Sequence, residues 1–242
     1  NKRKIYSGLF FSLTINTWLV GYVPVTKLPV SDYWKGICFH ISNILCTFLL
    51  IKVFTPKFRV GKGLRSKKLK WMAVFGIFLL FIVPQVSYHL NKSITPSFLL
   101  AAFTFTFFIG LDEEFFGRKF MLGLFQSVGL YPAIFLSSII FGLQHFSNFT
   151  VGHQSLEYTS AQMLNAFGFG VLVSGLYLAT GNLIVPVLFH AFTDLPMELI
   201  PYSEFHAQTV GHADWTGTLV NVFLYSVFGL SRSEEHTSEL QS

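Results

Sequence analysis

Only 12% of the 242 residues are charged and 52% are hydrophobic, against a charged share of roughly 25% in soluble globular domains, so an ordinary water-soluble fold is excluded. The 29 phenylalanines and their apolar neighbours run in long blocks of the kind that belong in lipid. The net charge of +5 is gathered in short basic segments that read as topogenic signals, and no nucleic-acid partner is expected.

Lys2, Arg3 and Lys4 lead into the first predicted span, Tyr6–Val23, which lacks a small-residue cleavage pattern and reads as a signal anchor. The second span, Trp34–Phe54, carries Cys38 and Cys46, whose separation of ~12 Å along a helix is too great for a disulfide. A basic connection with Lys57, Arg59, Lys62, Arg65, Lys67, Lys68 and Lys70 precedes the third span, Trp71–Tyr88. Five more follow at Ser97–Phe125, Leu130–Phe149, Ser160–Thr180, Asn182–Ile200 and Trp215–Leu230, most of them near the ~20 residues that cross a bilayer. Connections are short and no internal repeat is visible.

The expected fold is therefore all-α, a polytopic integral membrane bundle of about eight transmembrane helices. It divides into N-terminal transmembrane helices over 1–96, a core over 97–200 and a C-terminal transmembrane helix over 201–231. The polar tail 232–242 (RSEEHTSELQS) reads as translated adapter sequence and is set aside. In an up-down bundle the basic N-terminus and the basic connection share one side. The positive-inside rule makes that side cytoplasmic and puts both termini there, with Arg118 and Lys119 in agreement. The sequons at Asn91 and Asn148 then fall outside, and the architecture reads as that of a bacterial plasma-membrane protein.

Ionisable groups inside lipid are costly, so each asks for a partner or a role. In Asp112-Glu113-Glu114-Phe115-Phe116-Gly117-Arg118, Glu114 and Arg118 lie four apart on one helical face and can pair. Glu113 points roughly 100° away and stays free for chemistry. Phe141-Gly142-Leu143-Gln144-His145 brings an imidazole in the fifth span, and His190-Ala191-Phe192-Thr193-Asp194 brings a second with a carboxylate one turn on. Pro186, four residues before His190, is expected to break the backbone ladder beside a cavity. Such a set supports general-base activation of water and oxyanion stabilisation, or could supply nitrogen and oxygen ligands to zinc. The simple topology sets Glu113 toward the cytoplasmic end of its span and His145 toward the outer end of its own. A shared site therefore requires tilted or displaced helices, or a fifth helix that extends beyond His145 to about Val151.

Glu113-Glu114-x-x-x-Arg118, Phe141-x-x-x-His145 and His190-x-x-x-Asp194, in this order on membrane helices, resemble the CPBP family, also called Abi. It comprises CAAX prenyl endopeptidases and bacteriocin-processing or immunity proteins, and the resemblance covers about Ser97 to Ile200. It implies an intramembrane endopeptidase with a CAAX-protease-like core over 97–200. Glu113 would be the base that activates water, helped by His145. His190 and Asp194 would hold the water or the carbonyl oxyanion, and Arg118 would fix Glu114. Family members are labelled metalloproteases, which implies Zn2+ on Glu113, His145 and His190, while a metal-free glutamate mechanism is the alternative. No His-Glu-x-x-His motif decides between them. Asp194 stands where eukaryotic CAAX enzymes carry asparagine, and as an anion it cannot donate to an oxyanion.

The expected partners are the lipid bilayer and a membrane-associated peptide or lipidated protein, prenylated or bacteriocin-related. A non-catalytic bacteriocin-immunity or binding protein is the alternative. A proton-coupled transporter would call for paired interrupted helices, and none is evident.

Overall fold

The computed structural model describes residues 2–14, 32–55, 94–150, 153–200 and 202–240, and among these there is helix and no strand. Helix α1 (Lys2–Thr14) and α2 (Asp32–Phe54) precede α3 (Pro96–Glu114). Thr95 caps α3 by accepting from the Phe98 amide at 3.3 Å, and Pro96 takes the first turn, where its missing N–H costs nothing. The helix then widens without interruption into a π-helical stretch (Phe115–Met121) and closes in a last α turn (Leu122–Phe125). Gly129, at φ +106°, makes the reversal that starts α4 (Leu130–Gln144), a conformation that a side chain would strain.

Helix α5 (Leu156–Thr180) starts at a Ser155 cap and stops at Gly181, which is left-handed at φ +63°. The short turn sends the chain straight back as α6 (Ile184–Glu198). A helix α7 (Tyr202–Val210) lies at 103° to α6, and α8 (Trp215–Leu240) completes the bundle.

The expected spans over 34–54, 97–125, 130–149, 160–180 and 182–200 coincide with α2, α3 and its continuation, α4, α5 and α6. Trp71–Tyr88 and the outer part of the first span lie outside the described residues. Tyr33–Phe54, Leu130–Thr150 and Leu156–Thr180 are each long and apolar enough to cross a membrane, and bent α6–α7 together make a further candidate. Stripes of exposed apolar side chains, Leu45, Leu49 and Val53 on α2 and Leu219, Phe223 and Val227 on α8, repeat at one-turn spacing. In an integral membrane protein these are lipid-facing surfaces.

Pro186 corrects one expectation. Since α6 begins at Ile184, this proline falls in the first turn and breaks no ladder; the proline inside the helix is Pro196. The core forms where α3, α4, α5 and α8 meet. Gly170 lets Ser138 of α4 approach, and a Cβ there would lie 3.0 Å from the serine hydroxyl. Gly110 does the same for α6, its Cβ position lying 2.9 Å from the Val187 carbonyl oxygen and 3.3 Å from His190 Cβ. That close approach of α3 and α6 builds the site.

Candidate active site

Three consecutive carboxylates at the end of α3 are spread by the 100° step of the helix onto three different neighbours. Asp112 turns to α2, where His40 Nδ1 donates to its Oδ2 at 2.9 Å and Asn43 Nδ2 at 2.9 Å. Glu114 turns inward. Its Oε2 accepts from Arg118 Nε at 2.8 Å and its Oε1 from His190 Nδ1 at 2.9 Å. Glu113 points between these two directions. Its Oε2 is buried, has no hydrogen-bond partner, and stops 3.7 Å from His190 Nε2.

The pair at the centre is fully enclosed, with the Glu114 and Arg118 side chains both 0% exposed. Further hydrogen bonds to the guanidinium offset the desolvation of such a pair. Arg118 Nη1 donates to the Gly170 carbonyl at 3.0 Å and to Ser174 Oγ at 2.9 Å on α5, while Nη2 has no hydrogen-bond partner, and the guanidinium lies 5.2 Å from the Phe141 ring centroid. The π-helical stretch that starts directly after Glu114 carries Arg118 into this position.

His190 is the hub. Nδ1 faces a carboxylate, so it carries hydrogen, and Nε2 looks out toward Asp194 Oδ2 at 3.3 Å and Glu113. The Phe169 ring, 4.9 Å away, and the Phe141 ring, 6.1 Å away, meet the imidazole at near-right angles and hold it upright. Asp194 and Glu113 are the open members, 35% and 30% exposed.

His145 stands apart. Its Nδ1 donates to the Phe141 carbonyl oxygen at 3.0 Å, which fixes the proton on Nδ1 and leaves Nε2 with a free lone pair in the neutral ring. Its ring packs 5.2 Å from Phe141, so the same phenylalanine touches both imidazoles. The depth problem is eased by side-chain direction. Helical side chains lean toward their own N-terminus, so Glu113 on α3 and His145 on the oppositely running α4 lean toward each other.

Of the expected residues, Glu113, Glu114, Arg118, His190 and Asp194 are joined in one network, and His145 is linked to it through Phe141. Among the described residues no three of His, Cys, Asp and Glu are disposed to hold one metal ion. Of the three expected zinc ligands, Glu113 and His190 approach to 3.7 Å, and His145 meets His190 through Phe141. The reading of the motifs also passed over the Asp112 tether and the Gly170 and Ser174 acceptors. His40 and Asn43, three apart in a mostly apolar span, were the signal for the first. A backbone carbonyl leaves no trace in sequence.

Residues 95–196 match the family model described as type II CAAX prenyl endopeptidase Rce1-like, a segment that contains the whole network. Comparison with curated proteins and with solved structures returns no match.

Proposed function

We propose, from the match of residues 95–196 to the CAAX prenyl endopeptidase family model, that this chain is a CPBP/CAAX-type protease and hydrolyses a peptide bond of a membrane-associated, CAAX-type prenylated substrate with Glu113 as the general base. One observation carries the reading. Of two adjacent glutamates, the buried Glu114 spends both oxygens on Arg118 and His190, while the partly exposed Glu113 keeps one buried, unpartnered oxygen beside His190 and Asp194.

A water between Glu113, His190 Nε2 and Asp194 gives its proton to Glu113 as its oxygen attacks the scissile carbonyl. His190 and Asp194 hold the water or the carbonyl oxygen, with His190 kept in place by Glu114 below it. As the C–N bond breaks, Glu113 gives the proton it took from water to the leaving amine, and His145, its Nδ1 held by the Phe141 carbonyl, leaves Nε2 as a second base beside the site. Asp194 orients and does not donate, since an ionised carboxylate has no proton to give. A resident metal on Glu113, His145 and His190 would instead supply Lewis-acid polarisation of the carbonyl.

The test compares purified wild type with Glu113→Gln on a farnesylated peptide in detergent, with bound zinc quantified. Glu113→Gln should lower kcat at least ~100-fold with the fold intact. Stoichiometric zinc that disappears on His145→Ala or His190→Ala would replace the general-base reading by a metalloprotease. A wild type that cuts nothing, in cells that Glu113→Gln still protects from a bacteriocin, would replace it by a binding protein.

A further inference from the structure

Besides Glu113 Oε2, the amide oxygen of Asn165 on α5 is buried and without a hydrogen-bond partner. Other buried polar atoms in that condition lie elsewhere. Arg118 Nη2, Ser138 Oγ and Tyr177 Oη lie inward, around the Gly170–Ser174 stretch of α5, and Asn43 Oδ1 and Thr47 Oγ1 are on α2. An unpaired amide oxygen in a membrane helix is costly, and neither packing nor the tethers already described account for this one.

Helix register places it in the site. Phe169 stacks on Phe189 at 5.8 Å and holds its ring 4.9 Å from His190. Helices α5 and α6 run antiparallel out of the turn at Gly181. One turn back along α5 from Phe169 and one turn forward along α6 from His190 therefore lead the same way, to Asn165 and Asp194. The two helices touch only sparsely, while α5 stays packed along α4 and α8, and α6 along α3. At this level α4 is seated on α5 through Gly142, whose Cβ position lies 2.6 Å from the Met163 carbonyl oxygen, so His145 flanks the same space.

We propose that Asn165 binds the substrate backbone beside the scissile bond, its carboxamide pairing with one peptide group. A carboxamide is a side-chain copy of a peptide group, able to accept from N–H and donate to C=O at once. The open groups nearest in register, Asp194 and Glu113, only accept when ionised, so the donor that a peptide carbonyl needs comes from Asn165. The inference rests on the peptidase reading of this site. The contact is made to bound substrate as much as to the transition state, and it therefore acts on KM and not on kcat.

The experiment measures binding of a short fluorescein-labelled farnesylated peptide to Glu113→Gln protein with and without Asn165→Leu, and KM and kcat of Asn165→Leu and Asn165→Gln in the active protein. Leucine matches the shape and removes the buried amide, so Asn165→Leu should melt no lower than wild type. Its Kd and KM should rise about tenfold with kcat held within about twofold, and Asn165→Gln should recover most of the affinity. A Kd within about twofold of Glu113→Gln alone overturns the inference while leaving hydrolysis untouched. A wild type that cleaves nothing, yet binds the peptide about tenfold more tightly than Asn165→Leu, upholds Asn165 and overturns the peptidase reading. A peptide that binds no form of the protein overturns the inference.

Discussion

At the scale of single residues, the logic of the site is the different fate of three neighbouring carboxylates. Two are consumed by structure, Asp112 by His40 and Asn43 and Glu114 by Arg118 and His190, and the third is left free. Glu114→Gln should therefore behave unlike Glu113→Gln. It strands the enclosed Arg118 charge at a cost of about 3–5 kcal/mol, seen as a large fall in melting temperature in detergent. The pair replaced together by methionine should melt higher than either single replacement, since no lone charge remains. Equal melting of Glu113→Gln and Glu114→Gln would show that the division of roles is wrong. The i,i+4 spacing made the Glu114–Arg118 pair legible in sequence. His190 as the second partner of Glu114 was not, because that contact spans 76 positions and exists only where α3 and α6 cross.

At the scale of elements, glycines decide how near the helices come. A Cβ on Gly229 of α8 would lie 2.5 Å from the Val171 carbonyl oxygen of α5, and Gly175 meets Gly229 from the other side. This is close backbone packing of small residues, the form of association available where lipid is as apolar as leucine. Gly229→Ala should push α8 off α5 and cost about 1–3 kcal/mol, measured by thermal unfolding. Gly117→Ala is the control, since its Cβ finds only Phe141 Cδ2 at 4.0 Å, and it should melt close to wild type. The tether of α2 makes a second element-scale prediction. Asp112→Leu leaves the His40 and Asn43 donors unpaired at about 1–3 kcal/mol each, and should loosen α2 against α3, read as faster hydrogen exchange over 36–50. An unchanged exchange rate there would mean that apolar contacts alone hold α2.

At the scale of the whole molecule, the membrane supplies both the constraint and the clue. The lipid-facing stripes on α2 and α8 leave polar groups nowhere to go but inward, where they must pair or work. The basic segments at 2–4 and 57–70 predict cytoplasmic placement of the N-terminus, the second connection and the C-terminus. Reporter fusions at the C-terminus and within 57–70 should both score cytoplasmic, and a fusion in the connection near Asn148 should score outside. Opposite scores for the first two would break the up-down topology.

The amino-acid sequence by itself determined that the protein lives in a membrane, where most of its spans begin and end, and which few ionisable residues stand inside them. Hydropathy and the cost of buried charge are local properties, readable one residue at a time. Only the tertiary structure decided that α3 widens into a π-helical turn, that Asp112 belongs to α2, and that Pro186 sits harmlessly at a helix start. It also decided that His145 meets the rest through a phenylalanine and not a shared ligand. Those outcomes depend on where helices far apart in sequence cross and which way their side chains lean, and no single span holds that information.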